Sequence, residues 1–268
     1  MNASTSVVSS SVASQSSSRA GLLAMCVLLA PWLAAWLLPP VAQPQSFHDY
    51  ADQRVWLGLP HAADVLSNLP FLAVGACGLH FALRGWHTMN RSAFADRHAA
   101  APYAVLFAGV ALTAFGSAWY HAQPNDATLL WDRLPMALGF AGLAAGTLTD
   151  RAPQRLMQLL LAFVAVGAGT VLYWHASANL LPYLLMQAGF IAAALIATAW
   201  IKPRYTHSNR VYAATGLYAV AVIFERLDHQ VYALLNGWIS GHTMKHLFAC
   251  AAILIILSML RAREFSAQ

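Results

Sequence analysis

Charge is scarce in this 268-residue chain, where Asp, Glu, Lys and Arg make up 9% of the residues, against about 25% in a soluble domain. That scarcity excludes a single water-soluble globule. A dense basic run is also missing. The net charge of +5 comes from 15 Lys+Arg against 10 Asp+Glu, dispersed along the chain, so no nucleic-acid partner is expected. Cysteine is rare: Cys26, Cys77 and Cys250 each lie inside an apolar run. They read as small core hydrophobes and offer no disulfide framework. No internal repeat is visible, which weakens an inverted-repeat transporter reading. Apolar residues, by contrast, make up 59% of the chain, with a mean hydropathy of +0.54. The expected class is an all-α, polytopic transmembrane helix bundle.

A helix needs about 20 apolar residues to cross the bilayer core. Eight stretches qualify: 20–38, 62–83, 101–120, 131–148, 157–174, 180–201, 211–227 and 242–260. Ordinary turn chemistry separates them, including Pro39-Pro40, Pro124-Asn125, Pro203 and Asn236-Gly237. Residues 1–18 are rich in Ser and Ala and are expected to form a disordered tail. Arg19 followed by an apolar run also fits a signal peptide, although the run is long for one and Pro40 suits a cleavage site badly.

Basic residues alternate between loops. Eleven (Arg19, Arg84, Arg91, Arg97, Arg151, Arg155, Lys202, Arg204, Arg210, Arg261 and Arg263) fall on one side, and Arg54, Arg133, Arg226 and Lys245 on the other. The positive-inside rule then places both termini in the cytoplasm. Several tryptophans (Trp32, Trp56, Trp131, Trp174, Trp238) sit near span ends, as an interfacial belt would.

Ionisable groups inside a membrane are costly, so each is a candidate for function. Here they gather at one set of helix ends, expected to be extracytoplasmic. Asp64, Ser67 and Asn68 open the second span, and Ser117 and His121 close the third. Asp132 opens the fourth, Glu225, Asp228 and His229 close the seventh, and His242 and His246 open the eighth. His242-Thr-Met-Lys-His246 puts two imidazoles one helical turn apart on a common face, and Ser117 and His121 share the same spacing. Three histidines with one open position suit a catalytic zinc site. A histidine at a helix end, with a serine bonded back to the backbone, accounts for the same residues without a metal. Asp132 is close enough in sequence to orient a ligand or accept a proton, or it serves only as a carboxylate at a helix N-terminus. Glu225 and Asp228 fit a buried polar network as well as a supporting or cation-binding role, and Asp64, Ser67 and Asn68 could simply cap or pack their span.

Taken in order, Ala63-Asp-Val-Leu-Ser67-Asn-Leu-Pro-Phe71, Gly116-Ser117-Ala-Trp-Tyr-His121, Asp132-Arg-Leu-Pro-Met136 and His242-Thr-Met-Lys-His246 resemble the alkaline ceramidases and, more broadly, the CREST superfamily of membrane hydrolases. The resemblance covers about 200 residues. It implies a seven-helix ceramidase-like domain over 61–262, preceded by an extra transmembrane helix and loop over 19–60 and followed by a cytoplasmic tail over 263–268. It implies Zn2+ held by His121, His242 and His246, with Ser117 stabilising the oxyanion and Asp132 acting as base or as orienter of the attacking water. The implied activity is hydrolysis of a ceramide-like membrane lipid to fatty acid and sphingoid base.

Two positions depart from the family pattern. The family's calcium-binding members carry a glutamate where this chain has His61, leaving Asp49 and Asp52 as the upstream acids for a Ca2+ site. Arg133 replaces an acid beside Asp132 and is expected to bear on headgroup preference. A transporter with a proton relay through Glu225 and Asp228, or a receptor or scaffold with a structural metal, are the alternatives. A transporter would need polar residues through both leaflets.

Overall fold

The computed structural model describes residues 2–88 and 93–265. Arg91, counted above among the basic loop residues, lies outside them, as do residues 266–268 of the expected tail. The architecture is an all-α bundle. In chain order the helices are α1 (Asn2–Leu37), α2 (Ala62–Leu66), α3 (Leu69–Thr88), α4 (Ala101–Ala122), α5 (Asp126–Thr149), α6 (Leu156–Ser177), α7 (Leu181–Trp200), α8 (Arg210–Arg226), α9 (Asp228–Leu234) and α10 (Gly241–Ala262). Among the described residues, six segments are long and apolar enough to cross a membrane: 15–37 and 62–87, with 97–122, and the helices α6, α7 and α10. The chain is therefore a multi-pass membrane protein. Of the remaining two expected spans, α5 carries Asp126, Asp132 and Arg133, and α8 has only 17 residues.

Local signals set the helix ends. Asn125 caps α5, its side-chain oxygen accepting from Ala127 N at 2.9 Å and Thr128 N at 3.0 Å, with Asp126 favourably placed in the first turn. Ser240 caps α10 by accepting from Thr243 N at 2.9 Å. Pro102 and Pro182 sit in the first turns of α4 and α7, where no N–H is needed. The expected second span is broken at Ser67-Asn68 into α2 and α3, and the seventh ends at Arg226, with α9 following as a separate short helix. The helix expected to begin near Arg19 runs from Asn2. Residues 1–18 contain no Pro or Gly, and extending a formed helix is far easier than nucleating one.

The α4–α5 pair forms the centre of the bundle. A Cβ on Gly109 would lie 2.6 Å from Gly139 N, one on Gly142 2.4 Å from Leu106 N, and one on Gly116 1.9 Å from Trp131 O. Small residues let the two backbones meet, which is how helices associate in lipid when apolar burial gives no driving force. The Gly116 contact holds the site end of α4, with Ser117 and His121, against Trp131 and Asp132 of α5. One apolar cluster joins α1, α5, α6 and α7 around Phe163, Phe190 and Met186, and a second joins α3, α4, α8 and α10 around Phe107, Leu106 and Ile256. Helix α1 packs on α6 and α7 through Trp32 against Tyr173 and Val27 against Gly189.

The end of the bundle away from the histidines holds a buried ionic group. Arg263 donates to Asp150 Oδ2 at 2.6 Å and to Ala93 O at 2.6 Å, and its guanidinium lies 4.1 Å from the Tyr205 ring centroid. Arg151 spends its donors on Thr147 O, Ile201 O and Thr198 Oγ1. These two arginines, counted above as loop anchors, are interior fasteners instead. Residue 263 is packed and does not begin a free tail. Two further expectations are corrected. Cys26 and Cys77 are exposed and only Cys250 is buried. Trp174 is buried under Arg133 and takes no place in a surface belt.

Candidate metal centre

Helices α4 and α10 end and begin at the same level, and their histidines meet there. His121, His242 and His246 are all buried, and each offers a ring nitrogen within 4.8 Å of the others. The ring centroids are 4.6, 4.8 and 5.0 Å apart. His121 Nε2 and His242 Nε2 face one another at 3.2 Å. Two nitrogens bound at 2.0–2.1 Å to one tetrahedral ion would stand about 3.3 Å apart, so this donor pair fits such an ion. Imidazole donors suit zinc, copper, iron and nickel. This buried group could hold a metal ion, and it is the one cluster of its kind among the described residues.

The surrounding side chains orient the rings. Ser67 donates to the Asp64 carbonyl at 2.9 Å and meets His246 Nδ1 at 2.6 Å. With its proton committed to Asp64, Ser67 accepts from His246 Nδ1–H, which leaves Nε2 as the free donor atom. The break between α2 and α3 brings Ser67 to this place. Asn68 closes α2 by donating to the Asp64 carbonyl at 2.9 Å. Asp64 accepts from Ser240 Oγ at 2.9 Å and Thr243 Oγ1 at 2.6 Å through one oxygen, tying α2 to the start of α10. Asp228 accepts from His242 N at 2.7 Å and from Ala51 N at 2.9 Å. It thereby fixes the first turn of α10 and docks the 38–61 segment on it. Gly241 permits this approach, since a Cβ there would lie 2.4 Å from Phe224 O.

Tyr50, on that docked segment, is placed edge-on to His121 at 4.7 Å and His242 at 4.6 Å. Burial, and then the neighbouring Tyr120, push its phenol well above the usual value, so it covers the histidines as a neutral ring. His121 Nδ1 is buried without a partner, so beyond the contact of its Nε2 with His242 its ring is held by aromatic neighbours. Outer partners of ligand histidines are worth about 10–100-fold in metal affinity. Ser67→Ala should therefore weaken metal binding by about that factor without unfolding the bundle, as read by competition with a chelator of known affinity.

Ser117 and Asp132, beside the close contact of Gly116 on α4 with Trp131 on α5, are both buried. With Lys245 and His246 they line one end of an elongated cavity, open on one side, whose empty space is about 910 Å³ with that open part included. Its walls are otherwise apolar, including Phe71, Val110, Phe140, Leu143 and Ile256. From His246 to Ile256 the cavity follows α10 for about 15 Å at 1.5 Å rise per residue.

The other candidates do not converge on the histidines as one set. Glu225 pairs with Lys245 at 2.5 Å, while His229 turns to the exposed Asp49 at 3.5 Å. The helix break at Leu227 separates Glu225 from Asp228 and His229. Asp52 is fully buried and gripped by Arg54 at 2.8 Å and 2.5 Å. Burial acts to raise its pKa, but the hydrogen bonds and charge of Arg54 together outweigh it and leave the carboxyl below its ordinary value. Asp49 and Asp52 thus face different partners, and a cation at Asp52 would compete with a guanidinium already in place. Arg133, expected near the headgroup, donates to Gln43 at 2.6 Å and lies 4.2 Å from Trp174 and 4.8 Å from Tyr183. Its charge is enclosed by aromatic faces.

No family model and no curated protein matches the chain.

Proposed function

We propose that the protein is a zinc-dependent membrane amidohydrolase that cleaves ceramide-like lipids to fatty acid and sphingoid base. The observation that carries this reading is the buried His121, His242 and His246 group at the polar end of an apolar cavity that also contains the Ser117–Asp132 pair. The resemblance of the four sequence motifs to the alkaline ceramidases supports the choice of amide and lipid. The catalytic domain in this reading is the seven-helix unit over 61–262, with α1 an added span. The basic loops put both termini in the cytoplasm and the histidine end on the opposite face.

The three histidines would hold the ion, which when bound supplies Lewis-acid polarisation of the carbonyl and an acidified water. The chain's own residues then divide the remaining work. The cavity takes an acyl chain and brings its amide to the polar end while the chain stays in an apolar setting. Asp132 accepts the proton of the attacking water and returns it to the leaving amine. Ser117, which lines the same end of the cavity, donates to the amide oxygen as negative charge develops there. Tyr50 and Tyr120 shield this end of the bundle from water.

The test is an assay of purified protein with ceramide in mixed micelles. Fatty acid and sphingoid base should appear in equal amounts. Protein that retains a bound metal yet releases neither from ceramide or other lipid amides would instead mark the metal as structural.

A further inference from the structure

One charged side chain in the cavity is used neither by the histidine group nor by the Ser117–Asp132 pair. Lys245 lies on α10 between His242 and His246, with its side chain 17% exposed, and it lines the same end of the cavity as Ser117 and Asp132. A lysine ammonium has three donors, and Glu225 takes one of them at 2.5 Å. Glu225 reaches it from the last turn of α8 and does not itself line the cavity. A cation withdrawn from water costs free energy even when paired, and an apolar side chain would complete this wall without that cost.

We propose that Lys245 recognises a carboxylate at the polar end of the cavity, so that the preferred ligand is an anionic single-chain lipid. The carboxylate has two sources, the free fatty acid left by hydrolysis or an N-acyl amino acid whose carboxylate stands beside the amide. This inference rests on the cavity being a lipid site, as in the proposed amidohydrolase, and refines which lipid it takes.

The test measures binding, apart from turnover. Displacement of a fluorescent fatty acid from zinc-loaded protein in detergent is compared for N-palmitoylglycine, palmitate and the uncharged N-palmitoylethanolamine. The wild type should bind N-palmitoylglycine about 10- to 100-fold more tightly than N-palmitoylethanolamine, the size expected of one charge-assisted hydrogen bond. Lys245→Met should erase that preference with metal content unchanged, and Lys245→Arg should keep it. Palmitate that competes as well as N-palmitoylglycine identifies the product as the carboxylate held; weaker competition identifies the amino-acid headgroup. Equal affinity for the charged and uncharged lipids in the wild type, or a preference that survives Lys245→Met, overturns the proposal. A Lys245-dependent preference without hydrolysis of any lipid supports the binding role and counts against the amidohydrolase.

Discussion

His246→Ala should leave the protein folded in detergent but without tightly bound metal, and its release of fatty acid from ceramide should fall to background. Of the three histidines that could hold the ion, His246 is the one that the surrounding structure prepares most fully. Ser67 holds its Nδ1 at 2.6 Å, and Phe71 packs edge-on to its ring at 5.9 Å. Removing the imidazole takes away a donor outright, so metal affinity should drop by more than the roughly 10–100-fold that loss of an outer partner costs. Three buried imidazoles at centroid distances of 4.6 to 5.0 Å leave no spare nitrogen donor to compensate. His121→Ala and His242→Ala should behave alike. Metal analysis of the purified variants, alongside circular dichroism to confirm helicity, checks the result. A His246→Ala protein that is metal-free and fully active would contradict it.

Asp132→Asn should separate chemistry from metal binding. The substitution keeps the shape of the side chain and its place beside Ser117, but it removes the proposed base. Turnover should fall by about 10²–10⁴-fold, the usual contribution of a positioned acid–base group, while metal content stays at the wild-type level. The amide cannot accept a proton and return it to the leaving amine. A variant that turns over normally would assign Asp132 to the structural role that its position in the second turn of α5 also permits. Loss of metal in the same variant would move Asp132 into the ligand set.

Much of this site was legible in the sequence because helices make spacing into geometry. The i, i+4 interval in His242–His246 and in Ser117–His121 fixes a shared face whatever the partner helices do. The scarcity of charge made the few polar residues conspicuous. What helical spacing does not encode is the path of the chain between helices. Tyr50 covers two of the histidines from a segment without regular helix beyond one short turn, and its sequence neighbourhood offers only nearby acids. The break at Leu227 divides Glu225 from Asp228 and sends them to separate tasks, although continuous helical spacing places them on one side.

Loop charges misled for a related reason. Arg151 and Arg263 read as loop anchors, because arginine is usually exposed, and Arg133 as a group bearing on the headgroup, yet each is buried among aromatic rings or backbone carbonyls. The long Arg side chain allows this, since its planar head can stack while its donors fork to several acceptors. The start of α1 was hidden by composition alone: a Ser/Ala-rich stretch does not announce a helix until an apolar helix is attached to it.

In the proposed amidohydrolase, the histidine group holds a metal that lipid cleavage requires. The most direct test of this is metal analysis of purified wild-type protein, with fatty-acid release from ceramide measured on the same sample before chelation, after chelation and after zinc is restored. Bound zinc, with activity that disappears on chelation and returns with zinc, is the predicted result. Undiminished cleavage by protein stripped of metal would contradict the account.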